Sequence, residues 1–240
     1  MFIVIEAHAY ADHAALIDAM HVLRKRVFAD ELQWDVPVVD DRERDVYDKL
    51  KPAYLIWCDE ERRTLYGSAR LMPTTAPTLL ADVFGRTLPE RFDLRDPGLW
   101  ECTRLCVDAE TIERDLPDTT PQQGFRLMML ALCEVGVRYG MTGLLSNYEP
   151  HVMRLYRSSG ASVDEIGRAD GYGRRPVCCG LFDVSVGALK RMRRAMGVTK
   201  ALCTFPGSAR AASPSWADVT RALPRHAADR AAERGVVPAI

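Results

Sequence analysis

Along residues 2–196 of this 240-residue chain, short apolar runs alternate with longer amphipathic ones. That interleaving restricts the fold to a layered α/β arrangement and argues against a helical bundle. Strands are predicted at Phe2–Ala7, Ala53–Cys58, Thr64–Met72, Trp100–Val107, Gly143–Tyr148 and Val177–Val184. A helix is predicted over Asp12–Glu31, where Leu16, Met20, Leu23 and Val27 keep core spacing. The longest apolar helix runs over Pro121–Tyr139, with Gly140 as its stop. Two more follow, one opened by Pro150 and closed by Gly160, the other the basic stretch Val186–Met196. Gln33–Tyr47 reads as a polar loop and Thr78–Phe84 as a short helix. One domain over residues 1–200 is expected, followed by an Ala/Arg/Pro-rich extension over 201–240 that is flexible or a short helix. Ser215-Trp216-Ala217-Asp218 has the pattern of a capping box there.

A hydrophobic content of 48% is enough for a sizeable core, which excludes general disorder. Residues 1–6 lack the basic start and apolar run of a secretion signal, and no stretch reaches membrane-spanning length. The seven cysteines are odd in number and lack C-x-x-C spacing, which fits a reduced, cytoplasmic protein with Cys58, Cys102, Cys106 and Cys133 as small core residues. No His/Cys cluster has metal-ligand spacing, so no metal is expected. Residues 1–185 hold 22 Lys+Arg against 30 Asp+Glu, a net charge of −8, whereas residues 186–240 hold 10 against 3, a net of +7. A basic C-terminal part suits an acidic partner, although a solvated basic helix with an Arg/Ala-rich tail is the simpler explanation of the composition alone.

Eight polar and aromatic residues in the first 104 positions form the candidate site: Arg24, Phe28, Trp34, Asp45, Asp48, Arg70, Glu101 and Arg104. Arg24 and Phe28 share a helix face. Asp45 and Asp48 point the same way on one turn and can hold a cation or pair with arginines. Arg70 sits in a strand between apolar neighbours. Taken singly, each has an ordinary structural explanation. Glu101 does not: a glutamate within Trp100-Glu101-Cys102-Thr103-Arg104-Leu105 is costly unless paired or catalytic. In a regular strand Glu101 and Thr103 face one way and Arg104 the other. Both charges reach one site only where the strand bulges or twists.

The spacing Arg24-x3-Phe28-x5-Trp34, Asp45-x2-Asp48, Arg70 and Glu101-x2-Arg104 resembles that of the acyl-homoserine-lactone synthases, the LuxI-type autoinducer synthases. Leu71-Met72-Pro73-Thr74-Thr75, the stretch Thr78–Phe84, Ser158-Ser159-Gly160 and Cys179-Gly180-Leu181 extend the likeness over about residues 1–197. The family usually carries Ser where this chain has Thr103.

The resemblance implies a three-layer α/β/α sandwich with a mixed, twisted sheet, similar to the GCN5-related N-acetyltransferases. It implies quorum-sensing signal synthesis, in which the amine of S-adenosylmethionine attacks an acyl thioester and lactonisation then releases methylthioadenosine. S-adenosylmethionine is a substrate there, so no cofactor is expected. Glu101 and Arg104 are the expected catalytic pair, with Glu101 the base. Arg24, Phe28, Trp34, Asp45, Asp48, Arg70, Phe84 and Thr103 are expected to bind or position S-adenosylmethionine. Leu79, Met128, Met129, Ser146, Val152 and Leu155 are candidates for the acyl pocket, Ser146 lying where some relatives that prefer 3-oxo chains carry Thr. Lys190, Arg191, Arg193 and Arg194 suit docking of an acidic acyl carrier protein, with acyl-CoA as the other possible donor. Two readings compete. A GCN5-like acyltransferase using another amine would carry an R/Q-x-x-G-x-G/A loop, which is missing before Phe125. A binding domain without turnover would have no use for Glu101 as a base.

Overall fold

The computed structural model describes residues 1–205. The expected capping box at Ser215–Asp218 and most of the 201–240 extension lie outside the described residues. The strands are β1 (Phe2–Ile5), β2 (Val38–Val39), β3 (Arg42–Glu43), β4 (Ala53–Cys58), β5 (Leu65–Pro73), β6 (Leu99–Val107), β7 (Gly143–Tyr148), β8 (Val163–Ala169), β9 (Val177–Phe182) and β10 (Cys203–Thr204). The α-helices are α1 (Ala14–Arg24), α2 (Leu79–Asp82), α3 (Ala109–Asp115), α4 (Pro121–Tyr139), α5 (Met153–Ser158) and α6 (Val186–Met196).

Eight strands form one mixed sheet in the order β10-β1-β4-β5-β6-β7-β9-β8, and β2 and β3 make a separate hairpin. Because side chains alternate across a strand, the sheet has two apolar faces. Ile3, Ile5, Tyr54, Ile56 and Cys106 pack under α1 through Leu16, Met20 and Leu23. On the other face Leu55, Trp57, Leu71, Cys102, Leu144 and Phe182 pack under α4 and α6. The result is the expected three-layer sandwich.

Local chemistry fixes the ends of the main helix. Thr120 and Gln123 form a capping box at the start of α4, Pro121 takes the first turn, and Gly140 closes it at φ 70°. On β9, Gly180 is required because a Cβ there would lie 2.7 Å from the Tyr148 ring.

Three departures from the sequence reading bear on the site. The first helix does not continue regularly to Glu31; α1 ends at Arg24 and a π-helical segment carries Lys25–Glu31. The β8 strand is not predicted because Asp164, Glu165, Gly167 and Arg168 leave it without a regular apolar alternation. The sheet also continues past residue 200, since β10 pairs in parallel with β1.

Candidate active site

Strands β6 and β7 run parallel but pair only from Leu99↔Gly143 to Glu101↔Leu145. Both continue, to Val107 and Tyr148, and a cleft of about 410 Å³ lies where they part. Opposite, on the β5 side, Arg70 pairs with Thr103 and Ser68 with Cys106, so β6 carries one extra residue between these points. Arg104 sits in that bulge at φ 55°, a left-handed conformation rare for a residue with a side chain. The bulge turns Arg104 to the face that already holds Arg70, which meets the distortion the sequence demanded.

Arg104 joins a buried ionic lattice. Its Nε and Nη2 donate to Glu43 Oε1 (3.2 and 3.1 Å), and Nη2 also donates to Asp45 Oδ2 (3.0 Å). Arg24 grips Asp48 through two parallel bonds of 2.9 Å and donates from Nε to Glu43. Arg70 donates to Asp45 (2.6 Å), Asp48 (3.1 Å) and the Thr103 hydroxyl (3.0 Å). Asp45 and Asp48 are fixed in turn by a capping box around the 3-10 turn Val46–Leu50. Burial alone would raise the Asp48 carboxyl; the Arg24 and Arg70 guanidiniums more than offset this and hold it well below the usual carboxylate range. The same contest, with Arg70 and Arg104 opposing burial, lowers Asp45.

This corrects the sequence reading at one acid and decides between its alternatives at two others. The third acid of the balanced lattice is Glu43, fully buried, and not Glu101. Glu43 falls within the expected polar loop Gln33–Tyr47; its signal was the alternation Glu43, Asp45, which puts both carboxylates on one side of an extended segment. Asp45 and Asp48 are also committed to arginines rather than open to a cation.

Glu101 stands apart and is 1% exposed. Its carboxylate accepts the backbone N–H groups of Leu79 (3.2 Å) and Leu80 at the first turn of α2. Burial pushes its pKa up to about 7, against the opposing pull of Arg70 and of the Leu80 and Leu79 amides. Such a group can exchange a proton at neutral pH. Nearby, Arg70 Nη2 is buried without a hydrogen-bond partner among the described residues.

Around the cleft, Phe28 and Trp34 stack at 5.2 Å, and Arg104 lies 5.6 Å from the Phe28 ring. With Leu79 and Phe84 they line one wall, and Thr103 and Arg104 lie on β6 beside it. Ser146 and Val152 line the other wall with Phe125, Tyr148 and Tyr156, aromatic residues the sequence reading missed. Tyr148 could have been found, since Leu144, Ser146 and Tyr148 share one face of β7. His151 and Arg175 meet at the rim (2.9 Å).

A second, inner pocket opens on the α4 and α6 side and is lined by Met129, Ser146 and further apolar residues. The six acyl-pocket candidates do not all converge on it. Met128 lines neither cavity, because it is fully buried against β5, near Gly67. Leu155 also lines neither, being half-buried on the outer side of α5. Leu79 lines the cleft beside Glu101 and not the inner pocket. Of the basic residues on α6, Lys190 and Arg194 are exposed, and Arg191 is exposed and pairs with Asp183. Arg193 turns inward to Glu134 (2.8 Å), which also accepts the N–H groups of Leu202 and Cys203. It is therefore tied to α4 and β10 and only partly exposed, unlike the other three.

A buried near-neutral carboxyl beside an aromatic cleft, with an apolar side pocket, can exchange a proton next to a bound apolar group. The autoinducer synthase family description matches residues 8–192. The acyl-homoserine-lactone synthase of Rhizobium etli is 30% identical over 181 residues, covering 73% of this chain and 81% of that one. Its counterpart from Agrobacterium fabrum is 28% identical over 165 residues, covering 68% and 77%. Among solved structures, TofI in a ternary complex with an inhibitor and MTA has a TM-score of 0.63 at 28% identity, covering 85% of this chain and all of that one. The CoA-dependent acyl-homoserine lactone synthase BjaI, with MTA, shares the fold at a TM-score of 0.74 and 23% identity, covering 86% and 94%. The chain belongs to the autoinducer synthase family and is an acyltransferase of the acyl-homoserine-lactone synthase class. Among the described residues no helix is long and apolar enough to cross a membrane, and no group of His, Cys, Asp and Glu could hold a metal ion.

Proposed function

We propose that this chain acylates the α-amine of S-adenosylmethionine with an acyl group carried on acyl carrier protein and then closes the lactone. Glu101 takes a proton from the substrate ammonium, the freed amine attacks the thioester carbonyl, and the new C–N bond replaces the C–S bond to the carrier. The carrier thiolate leaves and takes up a proton. The substrate carboxylate then attacks its own γ-carbon; that C–O bond forms as the sulfonium C–S bond breaks, releasing methylthioadenosine. The observation that carries this reading is Glu101 itself: a fully buried carboxyl with a pKa of about 7, behind a cleft that joins an aromatic wall to an apolar pocket.

In this reading Phe28, Trp34 and Phe84 cover the adenosyl and methionine parts, and Thr103 positions Arg70. The uncommitted Nη2 of Arg70 is the donor for the substrate carboxylate. Arg24, Asp45 and Asp48, with Glu43, hold Arg70 and Arg104 in place. Backbone amides along the parted edges of β6 and β7 would stabilise the oxyanion. The acyl chain enters the inner pocket past Ser146 and alongside Met129, with Val152 at the cleft. Lys190, Arg191 and Arg194 form an exposed basic strip suited to the extended acidic surface of a carrier protein. The test is incubation of the purified chain with S-adenosylmethionine and acyl carrier protein loaded with acyl groups. Lactone and methylthioadenosine should appear together; an acylated amine without methylthioadenosine, or neither product, sinks the proposal.

A further inference from the structure

The cleft and the inner pocket share four lining residues, Cys102, Leu105, Ser146 and Tyr156, which form a throat between them. The inner pocket, throat included, has a volume of about 30 Å³, room for about two water molecules. An acyl chain reaching more than a carbon or two past the throat needs more room. The helices on either side cannot simply part, because Arg193 of α6 is tied to Glu134 of α4, and Glu134 holds β10 as well. Tyr156 is equally constrained: its ring meets Phe182 edge-on at 4.8 Å and Tyr148 at 5.3 Å. Room must therefore come from side chains that change rotamer within a fixed frame.

Two of the lining side chains have that freedom. Met129 projects from α4 and Met192 from α6, 7% and 1% exposed, and both line the pocket. Methionine is unbranched and adapts to irregular gaps, unlike the branched and aromatic side chains around it, Leu132, Leu144 and Phe182 among them. We infer that Met129 and Met192 set acyl-chain length by filling the far part of the pocket, and that the enzyme prefers short acyl groups. This rests on the reading of the inner pocket as the acyl seat. Each pair of carbons added to the chain must displace one of these side chains into an already packed interior, which opposes long substrates.

The experiment measures kcat/KM for the full chain with S-adenosylmethionine and a series of donors, butanoyl to dodecanoyl, on one carrier protein, with lactones identified by mass spectrometry. The wild type should favour the short donors. Met129→Ala and Met192→Ala should raise the ratio of long-chain to short-chain kcat/KM by about 10-fold or more, the scale on which pocket methylenes discriminate. Ala161→Val adds volume to the same pocket and should lower that ratio further; it keeps the test intact if the truncations unfold. Variants that turn over with the wild-type ranking of chain lengths would overturn the assignment, as would a wild type that favours the longest donors. No lactone from any donor overturns the underlying reaction, and this assignment with it, and is distinguishable because no ranking exists.

Discussion

At Glu101 complete burial raises the carboxyl while Arg70 and two amides pull the other way, and the balance falls at about 7. The balance has consequences for rate and for stability. If Glu101 is the base, kcat/KM should rise with pH through an apparent pKa near 7 and level off above it. Glu101→Gln keeps the shape but removes the proton acceptor, so turnover should fall about 10²- to 10⁴-fold and the rising limb should disappear. Steady-state rates between pH 5.5 and 8.5 check both, and a variant that retains the limb points to another base. The stability effect runs in the opposite sense. The folded pKa lies above the ordinary carboxylate value of 4.5, so folding favours the protonated form. That contribution is fully present below about 4.5 and is lost as pH rises through about 7. Glu101→Gln, which cannot ionise, should therefore be more stable than the wild type at pH 8 by on the order of 3 kcal/mol. Urea unfolding at pH 4 and pH 8 should find the difference almost entirely at the higher pH.

Among the elements, the lattice of Arg24, Arg70 and Arg104 with Glu43, Asp45 and Asp48 joins α1, the β2–β3 hairpin, the following 3-10 turn, β5 and the bulge of β6. Buried pairs of this kind contribute little net stability, yet removing one partner strands a charge at a cost of about 3–5 kcal/mol. Asp48→Asn, which leaves Arg24 short of its two-bonded partner, should lower stability by that order in a urea titration. The wild-type contribution is present above the ordinary carboxylate range and is lost as pH falls toward the depressed pKa of Asp48. How much of this could be read in the sequence depended on how local the cause is. The α4 limits were legible because Thr120, Pro121, Gln123 and Gly140 each act within a turn. A distortion of β6 was legible as a necessity, since Glu101 and Arg104 lie an odd number of residues apart; that it is a bulge was not. The π-helical segment after Arg24 was not, because a change from i→i+4 to i→i+5 bonding leaves no mark in apolar spacing. Glu43 was missed for a related reason: an acid in a charged stretch looks solvated until a tertiary partner, here Arg104 of a distant strand, is known.

For the whole molecule, the sheet positions two openings on the same pair of parted strands, the lattice side facing α1 and the pocket side facing α4 and α6. That division was legible in the alternation of strand and helix, whereas the membership of each cavity was not. Apolar residues such as Met128 and Met129 are neighbours on one helix, and only packing decides that the first touches β5 and the second the pocket. The same holds for charge. The basic composition of α6 was plain, but the inward turn of Arg193 reflects Glu134, 59 residues away. The exposed cations left on α6 are Lys190, Arg191 and Arg194, and long-range attraction to an acidic carrier acts mainly on encounter and falls with salt. Reversing these three to Glu should raise KM for an acyl-carrier donor about 10-fold or more at low salt while changing kcat little. The same acyl group on CoA should lose much less, since CoA has no acidic protein surface to meet the helix. Raising the salt should shrink the difference between wild type and variant for the carrier donor. Arg193→Glu belongs to a different class: it places two carboxylates together beside β10 and should lower the unfolding temperature, with both donors affected alike. Equal losses for the two donors in the triple reversal would remove α6 from the docking surface and leave CoA as the better-supported donor.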